Sequence, residues 1–335
     1  MVALIVAFNI IVWFLVITVF VGTLLPLTKS VRWWVRAWEF PRLHLALVSL
    51  FCLLLVLLSS IAFKAVLATG LIACAVYQGT RIFPYTRLAR SEIDIMQGVP
   101  VNKQIKLFSA NVLMENPRKD DLVGIIDRED PDVLFLMETD QGWLDSVQSC
   151  LDRYPTVVTY PLDNHYGLIF ATRLTAPSAE VVFLSEDNTP SLLAELLGPD
   201  GTGFNFVGLH PRPPVPGNDT ALRDRQIKKA AELTGNANWP TVCMGDFNDV
   251  AWSWTSKRFK DYGGFFEPRV GRGMYPTFHA QYPIMGVPID QLYLTAGVGL
   301  VSFGRLEEFG SDHYPVSANI TLKDMANTHA VEGST

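Results

Sequence analysis

The sequence predicts an α/β protein: two β-sheets packed face to face with helices outside them, preceded by transmembrane helices. Three observations lead there. The first 80 residues are mostly apolar, which lifts the mean hydropathy to +0.22. From about Gln104 onward, short strands alternate with amphipathic helices. The strands outnumber the helices and many are apolar on both faces, as strands enclosed between layers are. The expected organisation is a membrane region at 1–80, a connector at 81–100, one large domain at 101–323 and a flexible tail at 324–335.

The apolar runs come first. Val2 to Leu27 carries no charge and is as long as the roughly 20 residues a bilayer span needs. A cleavable signal peptide fits less well, because no basic segment leads the run and the run is too long. Leu43 to Phe63 is a second uncharged run, and Ala65 to Thr80 a third of only 16 residues, short for a core of about 30 Å. Two or three spans are therefore expected. Between the first two runs, Trp33, Trp34 and Trp38 alternate with Lys29, Arg32, Arg36 and Arg42, a pattern suited to headgroup level. The partner implied is a lipid bilayer and the location a multi-pass membrane protein, with the bacterial inner membrane as the expectation. Three spans would put the basic clusters and the domain in the cytoplasm, and two would put the domain on the other side.

Charge divides at the same place. Residues 1–100 hold eight basic and three acidic side chains, and the remainder carries a net −11. An acidic domain does not grip a polyanion through a broad basic face, and suits divalent cations and small or locally presented phosphates better. The four cysteines, Cys52, Cys74, Cys150 and Cys243, have no framework spacing and read as small buried hydrophobes.

Pro84 and Pro100 break the periodic pattern through the connector. Ile105 to Val112 alternates as a strand, Lys119 to Glu129 has helical spacing, Asp132 to Glu138 is a strand with an apolar interior, and Gly142 to Cys150 is helical. Strands are then expected at Thr156–Tyr160, Tyr166–Thr172, Ala179–Leu184, Ser191–Leu197 and Phe204–His210. Thr220 to Leu233 reads as a helix with a basic face and Pro240 to Met244 as a strand. An aromatic-rich stretch follows around Trp252–Phe266. Strands return at Ile289–Thr295, Leu300–Phe303 and Tyr314–Leu322.

Polar side chains stand at the ends of these strands: Asn111, Glu138, His210, Asp246, Asn248, Asp290, Asp312 and His313. Rigid strand ends followed by open loops are where folds display reactive groups. Singly, each has a plain structural use. Asn111 suits a turn, Glu138 a helix cap or surface carboxylate, and His210 a structural imidazole. Together they offer oxygen ligands for a hard cation such as Mg²⁺, and an Asp–His pair that fixes a tautomer and favours imidazolium beside a phosphate. Arg212, in the proline-stiffened exit after His210, is placed to contact a phosphate oxygen. Trp252 is a candidate to line the pocket, with core packing an equal alternative.

The segments Gly245-Asp-Phe-Asn248 and Ser311-Asp-His313, in this order, resemble the endonuclease/exonuclease/phosphatase superfamily, with matching segments from Asn111 to Val316. The resemblance implies a four-layer αββα sandwich of mainly antiparallel sheets, and hydrolysis of a phosphoester assisted by Mg²⁺, with Mn²⁺ a possible substitute. It implies Asn111, Glu138 and Asp312 at the metal, and Asp246 with Asn248 on the attacking water. It also implies His313 on the scissile phosphate held by Asp290, and His210 at the transition state or leaving group. Two departures stand out. Gln291 follows Asp290 where many relatives have His, and no tyrosine-bearing segment like that of the abasic endonucleases is present. The substrate class stays open among a lipid-linked phosphodiester, nucleic acid and a phosphorylated sugar or inositol. A membrane scaffold that kept the fold is the alternative from outside enzymology.

Overall fold

The computed structural model describes residues 2–185 and 189–323, so the expected tail at 324–335 lies outside the described residues. In chain order the elements are α1 (Val2–Leu24), α2 (Trp33–Arg36), α3 (Arg42–Leu58), α4 (Lys64–Ile82), β1 (Ile105–Asn111), α5 (Lys119–Glu129) and β2 (Val133–Met137). Next come α6 (Gln141–Leu151), β3 (Thr156–Tyr160), β4 (Leu168–Thr172), β5 (Thr175–Phe183), β6 (Pro190–Leu197), β7 (Gly203–Gly208) and α7 (Ala221–Gly235). The chain closes with β8 (Thr241–Asp246), α8 (Trp254–Gly263), β9 (Phe265–Phe266), β10 (Asp290–Thr295), β11 (Val298–Arg305) and β12 (Val316–Leu322).

The strands form two six-stranded sheets, ordered β11-β12-β1-β2-β4-β3 and β5-β6-β7-β8-β10-β9. Each is antiparallel except for one central pair, β1–β2 and β7–β8, joined by the crossover helices α5 and α7. The period-2 alternation of the strands explains the layering. Ile105, Leu107, Val133, Phe135, Met137, Val242, Met244, Leu292 and Leu294 point between the sheets and form the central core. The intervening Phe108, Ala110, Leu134 and Leu136 face outward onto Leu122, Ile125, Trp143 and Val147 of α5 and α6. Cys243 and Val207 face outward onto α7 and α8 through Ile227, Ala231 and Phe259. These are the four layers of an αββα sandwich. α8 was not expected from the sequence, because its buried Phe259 sits among charged residues and the aromatic-rich stretch masks a 3.6-residue period.

Among the described residues two helices are long and apolar enough to cross a membrane, Val2–Thr28 and Lys64–Tyr85, and the bent pair Trp33–Glu39 with Arg42–Leu58, angled at 74°, would make a third. The expected lengths are reversed. The third apolar run, short by itself, belongs to a helix of 22 residues, while the second gives an α3 of only 17. Val12, Val16, Cys52, Val56, Leu71 and Cys74 bind α1, α3 and α4 into one bundle.

The bundle is fastened to the sandwich through buried polar contacts. Trp252 donates its indole N–H to the Glu39 carbonyl at 2.7 Å, Arg81 reaches the Trp252 carbonyl at 2.8 Å, and the Tyr85 hydroxyl donates to Ala251 O at 2.7 Å. The connector is held as well: Met96 N–H bonds Leu300 O, and Ile93 enters the core between the sheets.

Candidate active site

The inward-facing rows of the two sheets end in polar residues, and this gathers the site. On β1 the row Ile105, Leu107, Ser109 continues to Asn111. On β8, Val242 and Met244 continue to Asp246, and on β10, Leu294 and Leu292 run back to Asp290. The antiparallel register of β8 and β10 sets Asp290 directly opposite Asp246. Gly245 makes the strand end possible, since at φ +143° a Cβ there would lie 2.1 Å from the Leu209 carbonyl oxygen. Just beyond the strand ends Asn248 and Glu138 adopt φ +48° and +61°, and Glu138 in that region is a strained position of the kind that clusters at functional sites.

His313 arrives from the loop before β12. The Ser311 hydroxyl bonds Asn111 O at 2.8 Å and accepts the His313 N–H at 3.0 Å. The ring Nδ1 meets Asp290 Oδ2 at 2.8 Å, and Nε2 lies 3.7 Å from Asp246 Oδ2. Thr277 Oγ accepts the backbone N–H groups of Ile289 and Asp290, fixing the start of β10. Burial alone would lower the His313 pKa, but the Asp290 and Asp246 carboxylates overcome it and raise it to about 10. Against its own burial, Asp290 is held below the usual carboxylate range by the His313 imidazolium and its hydrogen bond. Asp246 is raised by burial to about 7, despite the opposing pull of His313. Its Oδ1 accepts the Asn248 N–H at 2.8 Å.

Asn111 ties the two sheets. Its Nδ2 donates to Glu138 Oε1 at 2.8 Å and to Asp246 Oδ2 at 3.1 Å, while its Oδ1 accepts the Leu113 N–H. His210 Nε2 stands 3.8 Å from each of those carboxylates, and burial depresses its pKa to about 4, leaving a neutral imidazole. Tyr166 packs on His210 at 5.5 Å between centroids, and Arg212 lies over the Tyr166 ring at 5.1 Å.

Asp246, Asn248, Asp290, His313, His210, Glu138, Asn111, Asp312 and Arg212 thus come together, and three expectations change. Trp252 does not line the site: it is 3% exposed, bonded to Glu39 and packed edge-on against Tyr85 at the seam with the apolar helices. Asn111 turns donor hydrogens, not a lone pair, toward the carboxylates, while its carbonyl accepts the Leu113 N–H. The Asn248 side chain donates to Pro211 O at 2.9 Å, so it holds the His210–Arg212 loop, while its backbone N–H aligns Asp246. The basic face expected around Arg223 also lies elsewhere. Arg223 is buried, reaches the Asn248 carbonyl at 2.9 Å, and faces Asp249 at 3.5 Å.

Sequence reasoning missed His165, which sits between Glu138 and Glu115 at 3.3 Å from each. The signal was there in Asn164-His-Tyr-Gly167. A Cβ on Gly167 would lie 1.8 Å from Thr139 O, which forces this loop against Glu138. Arg269 was also missed. Gln291 accepts from Arg269 and donates to the Asp249 and Pro288 carbonyls, so a buried amide locks these loops.

Asp246, Asp290 and His313 place one ligand atom each within 4.8 Å of one another. The Asp290–His313 hydrogen bond and the charge on His313 leave that ring without a lone pair to give. Of the gathered side chains, Glu138, Asp312 and Asp246 carry the carboxylate oxygens that a hard cation takes. Among the described residues no Lys or Arg forms an ion pair with these three carboxylates.

The sequence matches the Endonuclease/Exonuclease/phosphatase family over residues 108–313. No curated protein sequence gives a significant match. Solved structures share the fold. Humanised D. rerio TDP2 with 14 mutations is 16% identical at TM-score 0.56, covering 65% of this chain and 99% of that one. The Bacteroides thetaiotaomicron endonuclease/exonuclease/phosphatase family protein is 16% identical at 0.55, covering 66% and 98%. The human Nocturnin catalytic domain with bound sulfate is 18% identical at 0.53, covering 66% and 94%. Since the family match spans more than half of the chain and the carboxylate–imidazole centre lies inside it, this protein belongs to the endonuclease/exonuclease/phosphatase family, hydrolases of ester bonds.

Proposed function

We propose a membrane-anchored, Mg²⁺-dependent phosphodiesterase whose substrate lies at the bilayer surface. The observation that carries the chemistry is the run Asp290–His313–Asp246, a buried cation between two carboxylates of which one is raised to about 7. Asp246 accepts the proton of the attacking water. The water oxygen forms the new P–O bond, and the ester oxygen departs with its electron pair. His313, kept cationic and aimed by Asp290, stabilises the non-bridging oxygens, and neutral His210 offers a further hydrogen bond at the same charge. Glu138 and Asp312 would hold the ion, with Asn111 fixing the Glu138 and Asp246 oxygens. Bound there, Mg²⁺ supplies charge neutralisation at the phosphoryl group and leaving oxygen.

An apolar lip favours a lipid-linked phosphodiester over nucleic acid. Tyr282, Ile284 and Met285 are 64%, 86% and 59% exposed on a loop bonded to the site, Ala280 N–H to Asp312 O at 2.7 Å and Gln281 to Ser311 O at 3.0 Å. The same loop meets the first turn of α3, where His44 Nε2 lies 2.8 Å from Ile284 O. Exposed apolar side chains grouped beside a membrane helix are what an interfacial surface presents.

The test is an Ile284→Asp variant of the full chain, assayed on phospholipid in vesicles, on single-stranded DNA and on bis(p-nitrophenyl) phosphate. The reading expects a loss of tenfold or more on vesicles and unchanged turnover of the soluble diester. Higher activity on DNA than on any vesicle would replace lipid by nucleic acid.

A further inference from the structure

A second cleft, of about 390 Å³, opens where α1 leaves the apolar run, away from the hydrolytic carboxylates. Its wall is a stack of cations and rings. Lys29 lies 5.6 Å from the Trp254 ring, Arg258 sits 4.5 Å over that ring and 4.9 Å over Tyr262, and Lys228 and Arg225 line the rim. Its one carboxylate among the described residues, Asp224, is already engaged by Arg223 at 2.9 Å and Arg36 at 3.7 Å. Lys228 meets Glu232 at 3.2 Å, but Lys29 and Arg258 form no ion pair among the described residues. The cleft is therefore locally basic in a domain whose net charge is acidic.

Its position identifies the occupant. The apolar helix ends at Thr28, and Lys29 follows at once. Thr220, at the start of α7, donates its N–H to Val31 O at 2.8 Å, and Trp33 N–H bonds Asp219 at 3.0 Å, so the segment leaving the bilayer is itself the cleft's edge. Exposed Val31 and Trp34 continue the apolar surface beside it. Tryptophan and tyrosine rings interleaved with Lys and Arg at a span's end meet lipid phosphates. A guanidinium held over two rings is preorganised to pair with a phosphate oxygen.

We propose that this cleft binds the phosphate headgroup of an anionic phospholipid from the leaflet that α1 leaves, as a site distinct from the hydrolytic centre. The inference rests on the reading that α1 lies in a bilayer. A free phosphate shares the chemistry but would not use the apolar edge, and the experiment separates the two.

Full-length protein is purified in a neutral detergent and titrated with dioctanoyl phosphatidylglycerol, dioctanoyl phosphatidylcholine, glycerophosphoglycerol and inorganic phosphate. Bound molecules are counted by native mass spectrometry. The site predicts saturable phosphatidylglycerol binding, weakened roughly tenfold or more by Lys29→Gln with Arg258→Gln, since two charge-assisted contacts go. Lys257→Gln, on the same helix but outside the cleft, should leave it unchanged. Equal binding by the double variant, or phosphatidylcholine binding as tight as phosphatidylglycerol, would overturn the proposal. Inorganic phosphate competing as well as the lipid would also overturn it. Carbonate extraction of membranes tests the bilayer reading separately, because the titration needs no membrane.

Discussion

Glu39→Ala tests how the N-terminal apolar helices are joined to the sandwich. Glu39 is 1% exposed at the bend before α3, and its carboxylate lies 2.9 Å from Arg36 and 3.2 Å from Arg42. It also accepts the Trp254 N–H at 3.1 Å. Both arginines are buried, at 1% and 2% exposure. Without the carboxylate, Arg42 keeps Gln78 Oε1 at 3.0 Å, and Arg36 keeps Asp224 at 3.7 Å and the Thr255 hydroxyl. Removing one partner of a buried ion pair costs about 3–5 kcal/mol, because the other charge stays buried. Two cations share this anion, so the upper part of that range applies. At about 1.4 kcal/mol per tenfold, docking weakens roughly a thousandfold. Thermal unfolding of the full chain in detergent, followed by tryptophan fluorescence, reads the seam through Trp252 and Trp254. The variant should show an early seam transition and faster tryptic cleavage between Arg81 and Arg90, with the sandwich transition unmoved. Glu39→Gln, which keeps an acceptor, should lose less. A single transition at the wild-type temperature for Glu39→Ala would refute the reasoning and assign the seam to apolar contacts.

Four further outcomes follow from the site. Gly245→Ala places a Cβ 2.1 Å from Leu209 O, so β8 must shift; phosphodiester turnover should fall at least a hundredfold, and urea titration should show lower stability. Activity should rise with pH through about 7 as Asp246 deprotonates and fall only near 10 as His313 loses its proton. In Asp290→Asn that carboxylate no longer holds the imidazolium, so the falling limb of the pH–rate profile should move to lower pH, and a falling limb that stayed in place would exclude the role given to Asp290. His165→Ala removes an exposed neighbour of Glu138. It should raise the Mg²⁺ concentration needed for half-maximal rate while leaving the rate at saturating Mg²⁺ within about tenfold, and an unchanged Mg²⁺ titration would place His165 outside the site.

Much of this architecture was legible in the sequence because period-2 apolar rows are a local property. β1, β2, β3, β8 and β10 fall close to their expected limits, and on all of these but β3 the polar residue at the strand end announces the site. What the sequence hid was pairing at a distance. Nothing local to Trp252 says that its indole will bond a carbonyl more than 200 residues earlier, nor that Arg223 will turn inward to Asn248 while Arg225 and Lys228 face another cleft. The direction of the Asn111 amide depends on Leu113 and on two carboxylates from different strands, which no motif encodes. α8 was missed because its charged residues and aromatics satisfy a seam on one side and the sandwich on the other.

The most direct test of the central claim is hydrolysis of bis(p-nitrophenyl) phosphate by the full chain in neutral detergent, with Mg²⁺ and with EDTA, beside Asp246→Asn. The account predicts turnover that EDTA abolishes and Mg²⁺ restores, and a loss of a hundredfold or more in the variant, whose amide cannot take the proton of the attacking water. Turnover that persists in EDTA, or an Asp246→Asn protein as active as the wild type, would contradict it.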